Sequence, residues 1–304
     1  MNRIIIFFAF FFSGFISRYN YCHAQSQWLT LPNVGLQVAG QPVRYDDIYF
    51  ISKDTGLVVS SNGLIYKTYD GGNYWYIKAD LGDNIYFRSI EFSDNGQYGI
   101  AGTLSGLVLR TIDRGETWTD ISSAIPDTGM YAKRICGLAH WGNNFYGVGW
   151  WGATVARFYK STDSGQTWQT SYIDTNLATG LVDIIFTSAD TCFATGFRMN
   201  DSGSASTVLR SIDAGQTWTK VFSDNIIGGG VWKIQFINHE IGVGSIEPWY
   251  NPDTVAMIKT TDGGSKKPFT PFLRVLITAY SSSIRERIIT FCRGHFFFIS
   301  IRVS

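Results

Sequence analysis

The peptide STDSGQTW, residues Ser161–Trp168, recurs along the chain and decides the fold. The related octapeptides are TYDGGNYW at Thr68–Trp75, TIDRGETW at Thr111–Trp118, SIDAGQTW at Ser211–Trp218 and an incomplete copy, TTDGGSKK, at Thr260–Lys267. Their aspartates are separated by 43, 50, 50 and 49 residues. A near-constant period of this length indicates a repeat architecture.

Each repeat predicts four short strands. In the second repeat, SIEF at Ser89–Phe92 alternates apolar and polar residues, and the glycine-flanked QYGIAG, then GLVLRT, then WTDI follow. Four antiparallel strands per repeat make one blade of a β-propeller. We therefore predict an all-β propeller of four-stranded antiparallel blades, with about five blades and an incomplete or imperfectly closed ring. The octapeptide lies at the hairpin between the third and fourth strands.

The octapeptide has the chemistry of a tight turn. Its aspartate can accept hydrogen bonds from unpaired backbone N–H groups, and the Ser or Thr hydroxyl can add another. The glycine two positions later permits a positive φ, and the tryptophan folds back as a large apolar side chain.

This pattern resembles the Asp-box, also called the BNR repeat, with the consensus S/T-x-D-x-G-x-T-W. Three copies match fully, and Tyr74 replaces the usual Thr in the first. The motif occurs in sialidases, sortilin-type receptors, xyloglucan-degrading hydrolases and the photosystem II assembly factor family. The resemblance implies that the box residues are structural and lie on the face away from the ligand. These residues are Asp70, Trp75, Asp113, Trp118, Asp163, Trp168, Asp213, Trp218 and Asp262.

The composition of the 304-residue chain fits this fold and excludes some functions. A formal net charge of +1 gives no electrostatic reason to expect nucleic acid as a partner. Aromatic residues make up 16% of the chain and there are 32 glycines but 7 prolines, which suits a turn-rich β protein. No His, Cys or carboxylate cluster has the spacing of a metal site, and no glycine-rich phosphate loop precedes a helix, so we expect no cofactor.

The N-terminus predicts export. The uncharged run Ile4–Ser17 is followed by YCHAQS at Tyr21–Ser26, the layout of a secretory signal peptide over residues 1–25, with cleavage near Ala24 or Gln25. The alternative is an uncleaved N-terminal anchor. Cys22 lacks the small-residue context of a lipid-modified cysteine. We therefore expect a secreted protein that is periplasmic, extracellular or at the cell surface.

Three cysteines remain, Cys136, Cys192 and Cys292. A set that is small and odd in number does not make a disulfide framework. Cys136 and Cys192 fall in predicted strands, so we expect both to be small buried apolar residues.

The C-terminal part departs from the repeat. The propeller is predicted over residues 26–264, while from Ser265 onward glycine nearly vanishes and arginine is frequent. A frameshifted or truncated coding sequence is one explanation, and a natural C-terminal module is the alternative. We expect residues 265–304 not to form a proper blade, and QWLTLPN at Gln27–Asn33 to supply the outer strand that closes the last blade.

Binding residues are expected on the loops opposite the boxes. At the starts of the first strands stand Arg44, Asp46, Asp47, Arg88, Lys133, Arg134, Asp183, Trp232 and Lys233. The loops between the second and third strands lengthen along the chain and carry Trp150, Trp151, Arg198, Glu247, Trp249 and Tyr250. These aromatic side chains suggest a platform for a sugar or a protein. Alternatively, Trp150 and Trp151 cover a hydrophobic gap between blades, and the charged residues are simply solvated strand ends.

A catalytic site is a more specific hypothesis than a binding surface. A sialidase needs an arginine cluster and a tyrosine nucleophile, and its Arg-Ile-Pro signature is absent. A xyloglucan hydrolase needs two facing carboxylates, for which Asp47 and Asp183 are the best pair, although repeat equivalence explains them equally well. We therefore predict a secreted, non-catalytic binding or scaffold module for protein or glycan partners. The alternatives are a glycoside hydrolase and a sortilin-like receptor module.

Overall fold

The structure, a computed structural model, describes residues 43–129, 131–149, 155–200, 203–224, 229–247, 254–265 and 270–276. All of them belong to one compact unit, Pro32–Ser304. The predicted signal peptide and the proposed closing strand Gln27–Asn33 lie outside the described residues. Within the described part of the chain, no helix is long and apolar enough to cross a membrane.

In the described part of the chain, twenty strands form five four-stranded antiparallel sheets. Blade 1 consists of β1 Tyr45–Phe50, β2 Gly56–Ser60, β3 Leu64–Thr68 and β4 Tyr76–Asp80. Blade 2 consists of β5 Phe87–Phe92, β6 Gly99–Thr103, β7 Val108–Thr111 and β8 Thr119–Asp120, followed by a 3-10 turn at Ser122–Ala124. Blade 3 consists of β9 Gly137–Trp141, β10 Asn144–Gly149, β11 Arg157–Ser161 and β12 Gln169–Tyr172. Blade 4 consists of β13 Gly180–Phe186, β14 Cys192–Asn200, β15 Gly203–Ser211 and β16 Thr219–Asp224. Blade 5 consists of β17 Gly230–Phe236, β18 Gly242–Glu247, β19 Thr254–Thr260 and β20 Thr270–Leu276.

The all-β propeller prediction is confirmed. In every blade the strands pair in chain order, as successive hairpins, and the octapeptide forms the turn between the third and fourth strands in blades 1 to 4. The two faces of each blade follow from this order. We call the face with the octapeptide turns the box face, and the face on which the first strands begin the opposite face.

The apolar core lies between blades rather than within one sheet. Between blades 1 and 2, Leu57 and Ile65 pack against Phe87 and Phe92 in one buried cluster. Similar clusters join blade 3 to blade 4 and blade 4 to blade 5. A single blade cannot bury its faces alone, so each depends on its neighbour.

The box tryptophans extend this core. Trp118 meets Phe92 edge-on at a centroid distance of 6.1 Å, and Trp218 meets Phe158 at 5.4 Å. These distances are in the range of favourable aromatic pairs. Cys136 and Cys192 are both buried, and neither forms a disulfide.

Within the described residues, the five blades do not form a closed ring. The innermost strands contact one another in the order β1, β5, β9, β13 and β17. Among the described strands no comparable contact joins β17 back to β1. This agrees with the predicted incomplete ring of about five blades.

The C-terminal tail contributes one strand to the fifth blade. Strand β20 lies within residues 265–304 and pairs antiparallel with β19, so it completes a four-stranded fifth blade. The reason is that an outer strand needs only backbone pairing and an extended chain, not the Thr-Trp ending of the box. The expectation that residues 265–304 do not form a proper blade stays a prediction, because residues 266–269 and 277–304 lie outside the described part.

Candidate functional site

The Asp-box turn is held by its own side chains. In blade 3, Asp163 Oδ1 accepts hydrogen bonds from the Ser161 hydroxyl at 2.8 Å and from the Thr167 N–H at 2.9 Å. Asp163 Oδ2 accepts from the Thr167 hydroxyl at 2.6 Å. The Ser161 Oγ accepts from the Gly165 N–H at 2.9 Å, and the Trp168 indole donates to the Gly165 carbonyl at 3.1 Å. Both carboxylate oxygens are therefore used within the turn.

The same pattern recurs in the other blades. The aspartate accepts from the hydroxyl two residues before it at 2.8, 2.7, 2.7 and 3.2 Å for Asp70, Asp113, Asp213 and Asp262, respectively. Burial alone would raise the pKa of Asp113, but hydrogen bonds from the Thr117 hydroxyl and N–H outweigh it and lower that pKa to about 2. The carboxylate is thus fixed in its ionised form as a turn acceptor.

The boxes of blades 2, 3 and 4 are each also tied to the preceding blade by a basic side chain. Lys67 Nζ donates to the Arg114 carbonyl at 2.8 Å, and Arg110 Nε donates to the Ser164 carbonyl at 2.7 Å. Lys160 Nζ reaches the Ala214 carbonyl at 3.5 Å. The accepting residues have positive φ angles of 64, 60 and 54° for Arg114, Ser164 and Ala214, respectively. These cations therefore link blades and do not converge on a ligand.

The candidate catalytic pair also links blades. Asp47 Oδ2 accepts from the backbone N–H of Ile90 in the next blade at 3.0 Å. Asp183 Oδ2 accepts from the N–H of Ile234 at 3.0 Å, and its Oδ1 accepts from Lys233 Nζ at 3.2 Å. Each carboxylate therefore holds the innermost strand of one blade to that of the next.

Asp47 and Asp183 do share one cavity. It lies at the centre, is lined by the innermost strands of all five blades, and has a volume of about 40 Å³. A space of this size holds a few water molecules. It is too small for the sugar ring that a glycoside hydrolase must place between its two carboxyl groups.

On the opposite face, Asp46 gathers two of the predicted binding residues. Its carboxylate accepts from Arg44 Nη2 at 2.8 Å and from Arg88 Nη1 at 3.2 Å. The Arg88 guanidinium lies 5.7 Å from the centre of the Trp232 ring, which belongs to blade 5. Burial, with a contribution from Asp46, raises the pKa of the neighbouring Tyr86 to about 12. We call these five residues the arginine cluster.

Other predicted binding residues lie apart from this cluster. The Arg134 guanidinium lies 4.8 Å from the centre of the Tyr131 ring, and Arg198 Nε donates to the Thr175 carbonyl at 3.2 Å. Glu247 is exposed at the end of β18. Four predicted aromatic residues lie outside the described residues: Trp150, Trp151, Trp249 and Tyr250.

Sequence reasoning missed a buried carboxylate, Asp127. It accepts from the Tyr159 hydroxyl at 2.8 Å and from the Lys133 N–H at 2.9 Å, and it pairs with Arg157 Nε at 3.0 Å. Burial, together with Asp127, raises the pKa of Tyr159. Within the described residues, no group of three or more His, Cys, Asp or Glu side chains is placed to hold a metal ion.

Comparisons with known proteins find relatives of the BNR-repeat type. Residues 23–130 match the family described as photosynthesis system II assembly factor YCF48. The photosystem II assembly lipoprotein Ycf48 of Synechococcus sp. (strain CC9902) is 28% identical over 142 residues, which cover 46% of this chain and 40% of that protein. The match thus spans about two fifths of the length of this curated relative.

Two solved structures are similar to the fold. YCF48 from Cyanidioschyzon merolae shares 17% identity over 76% of this chain and 85% of that chain, with a TM-score of 0.48. The GH74 xyloglucanase from Xanthomonas campestris shares 14% identity over 75% of this chain and 38% of that chain, with a TM-score of 0.54. The chain is an Asp-box, or BNR-type, β-propeller. Among proteins of this class, it is similar to the photosystem II assembly factor YCF48.

Proposed function

We propose that this chain is a non-catalytic propeller that binds a protein segment on its opposite face. The observation that carries the proposal is the arginine cluster, in which Arg44 and Arg88 share the single Asp46 carboxylate. Two guanidinium groups on one carboxylate leave a net positive charge beside the Trp232 ring. An acidic side chain or a carboxyl terminus of a partner would complete the pairing.

The accessibility of Arg44 supports this role. Its side chain is 67% exposed, whereas the Asp46 side chain is only 3% exposed. The buried carboxylate therefore orients Arg44 while leaving the rest of its guanidinium open to a ligand. Arg is well suited to such contacts because its planar group can bind a carboxylate through two parallel hydrogen bonds.

The proposal that the chain is not an enzyme rests on the central cavity. Asp47 and Asp183, the best candidates for paired catalytic carboxyl groups, accept hydrogen bonds from backbone N–H groups of the neighbouring blades. No specific observation favours hydrolysis. The similarity to a xyloglucanase concerns the fold alone.

The comparison also supports a protein as the partner class. One solved structure is YCF48 bound to a D1 peptide, and residues 23–130 of this chain match that family in sequence. We propose a peptide partner here on the same grounds, without assigning D1 itself. A glycan on the loops that carry Trp150, Trp151, Trp249 and Tyr250 stays a prediction.

We also propose export, with a signal peptide over residues 1–25 and the propeller beginning at residue 26. The supporting feature is the uncharged run Ile4–Ser17, followed by a polar stretch that ends in small residues. The relative from Synechococcus is a lipoprotein, which fits an exported protein. Mass spectrometry of the N-terminus after expression with its leader would test the cleavage near Ala24 or Gln25.

The binding proposal is tested with a peptide library displayed on phage and selected against the full chain. We expect acidic peptides to be enriched, and Arg44→Ala to weaken the best of them at least tenfold. Lys53→Ala is the control, because Lys53 is an exposed cation in the β1–β2 turn, on the box face. Turnover of fluorogenic sialosides or β-glucans that is lost in Asp47→Asn or Asp183→Asn would overturn the proposal.

A further inference from the structure

The box face of blade 1 carries three tyrosines, Tyr69, Tyr74 and Tyr76, of which Tyr76 contacts both of the others. We call these three residues the tyrosine patch. Their exposed fractions are 44, 50 and 49%, respectively. The ring centres of Tyr74 and Tyr76 are 4.8 Å apart and those of Tyr69 and Tyr76 are 5.7 Å apart, with interplanar angles of 54 and 58°. Half-exposed aromatic rings grouped in this way are unusual on a solvated turn, where polar residues are expected.

At the tyrosine patch, the sequence of blade 1 departs from the pattern of the other repeats. Thr117, Thr167 and Thr217 stand where blade 1 has Tyr74, and their hydroxyls donate to the box aspartates at 2.6, 2.6 and 2.5 Å, respectively. Blade 1 gives up that hydrogen bond and gains an exposed ring. The counterparts of Tyr69 are Ile112, Thr162 and Ile212, and those of Tyr76 are Thr119, Gln169 and Thr219. All three aromatic replacements therefore fall in one blade and meet at one place.

The side chains around Tyr69 hold its ring in place. The Tyr69 hydroxyl donates to the Glu116 carboxylate, with oxygen distances of 2.7 and 2.8 Å. Lys67 and Lys78 each bond that carboxylate at 2.6 Å, and their ammonium groups lie 5.0 and 5.3 Å from the centre of the Tyr69 ring. The orientation of the Tyr69 ring, which Tyr76 contacts, is thus fixed before any ligand arrives, and this lowers the entropic cost of binding.

The charges of the patch balance. Lys67 and Lys78 are paired with Glu116, and the Asp70 carboxylate accepts the Thr68 hydroxyl and the Tyr74 N–H within its turn. Two positive and two negative groups leave no net charge to attract nucleic acid or an acidic polymer. The surface instead offers π faces and phenol hydroxyls, which suit a ligand with C–H faces and many hydroxyl groups.

The size of the patch points to the same kind of ligand. An aromatic side chain presents about 150–250 Å² in full, so three half-exposed rings offer roughly 300 Å². A stable protein interface needs about 800 Å² on each partner. The patch covers a few sugar units and falls short of a second protein chain.

We propose that the tyrosine patch binds a neutral oligosaccharide, whose sugar rings stack on Tyr74 and Tyr76 and whose hydroxyls hydrogen-bond to the tyrosine hydroxyls. This site lies on the box face and is separate from the arginine cluster. The same chain can therefore hold a protein segment on one face and a neutral glycan on the other.

The test is affinity electrophoresis of the full chain in gels containing xyloglucan, laminarin, galactomannan or, as the charged comparison, polygalacturonate. We expect at least one neutral polysaccharide to retard the protein, and the double variant Tyr74→Thr/Tyr76→Thr to bind it at least tenfold more weakly. The two threonines are the residues of blade 2 at these positions, so the variant should fold, and its thermal unfolding midpoint checks this. Ile112→Ala, at the position of Tyr69 in blade 2, should bind like the unmodified chain.

Three results would overturn the proposal. These are no retardation by any neutral polysaccharide, equal retardation of a folded double variant, and retardation by polygalacturonate alone. Should the double variant unfold, single Tyr74→Thr and Tyr76→Thr variants give the same test. Binding of acidic peptides to the arginine cluster should be unchanged in all of these variants, so failure of one proposal is distinguishable from failure of the other.

Discussion

The Asp183 carboxylate accepts a hydrogen bond from the backbone N–H of Ile234 at 3.0 Å, and so joins the innermost strands of blades 4 and 5. Asp47 and Ile90 make the same contact between blades 1 and 2, also at 3.0 Å. Both aspartates follow an irregularity in strand register that turns the side chain toward the neighbouring blade. A residue pair that sequence reasoning would offer as catalytic thus has a structural explanation.

The first prediction concerns this contact. Asp183→Ala removes the acceptor of a buried N–H and the partner of Lys233, so it should lower the free energy of unfolding by about 1–3 kcal/mol. Urea titration measures this change. Asp83→Ala, at an exposed carboxylate, is the control and should change stability by less than about 0.5 kcal/mol. An unchanged urea midpoint in Asp183→Ala would show that the contact does not hold the blades.

A second prediction tests how closely the blades approach. A Cβ on Gly137 would stand 2.8 Å from both the Asp183 Cα and the Val182 carbonyl oxygen, which are backbone atoms that cannot move aside. Gly137→Ala should therefore cost about 1–3 kcal/mol. Gly147→Ala in the adjacent strand is the control, because its Cβ would meet only ordinary contacts of 3.4 to 3.5 Å. Equal stability of the two variants would argue against this close packing.

The third prediction is a loss of stability in acid. Burial opposes ionisation of Glu116, but hydrogen bonds from Lys67, Lys78 and Tyr69 lower its pKa to about 2. An unfolded glutamate has a pKa of about 4.3, so the folded state is favoured above that value, and the gain is lost as the pH falls toward 2. Glu116→Gln should flatten the decline of the urea midpoint between pH 4 and pH 2. A decline as steep as in the unmodified chain would contradict this assignment.

The fourth prediction concerns the buried thiols. Burial raises the pKa of the Cys192 thiol to about 12, so almost none of it is the reactive thiolate at pH 8. Peptide mapping after iodoacetamide treatment should find Cys192 unmodified in the native protein and modified in urea. Rapid alkylation of the native protein would mean that this strand opens readily.

The sequence predicted the blades well because the box is a local device. Ser161, Asp163 and Thr167 close a turn among themselves, and the strands before and after it show clear alternation. Local hydrogen bonds and period-two patterns are what a sequence reports directly. The hairpin position of the box and the incomplete ring of five blades follow from them.

The contacts on the opposite face were harder to predict from the sequence. Whether Asp47 is free or bonded depends on where Ile90, 43 residues later, places its N–H, and this is set by the packing of two blades. Likewise, the pairing of Arg88 with Asp46 and its approach to Trp232 join three blades. Strand β20 was missed because its residues carry no box, although an extended segment beside a free sheet edge suffices to form a strand.

We propose that the arginine cluster binds an acidic protein segment and that the propeller performs no hydrolysis. Isothermal titration of an acidic peptide, selected against the full chain, into the unmodified, Arg44→Ala and Lys53→Ala proteins measures this binding. We expect at least a tenfold weaker affinity for Arg44→Ala and an unchanged affinity for Lys53→Ala. Equal affinity of the unmodified and Arg44→Ala proteins would contradict it.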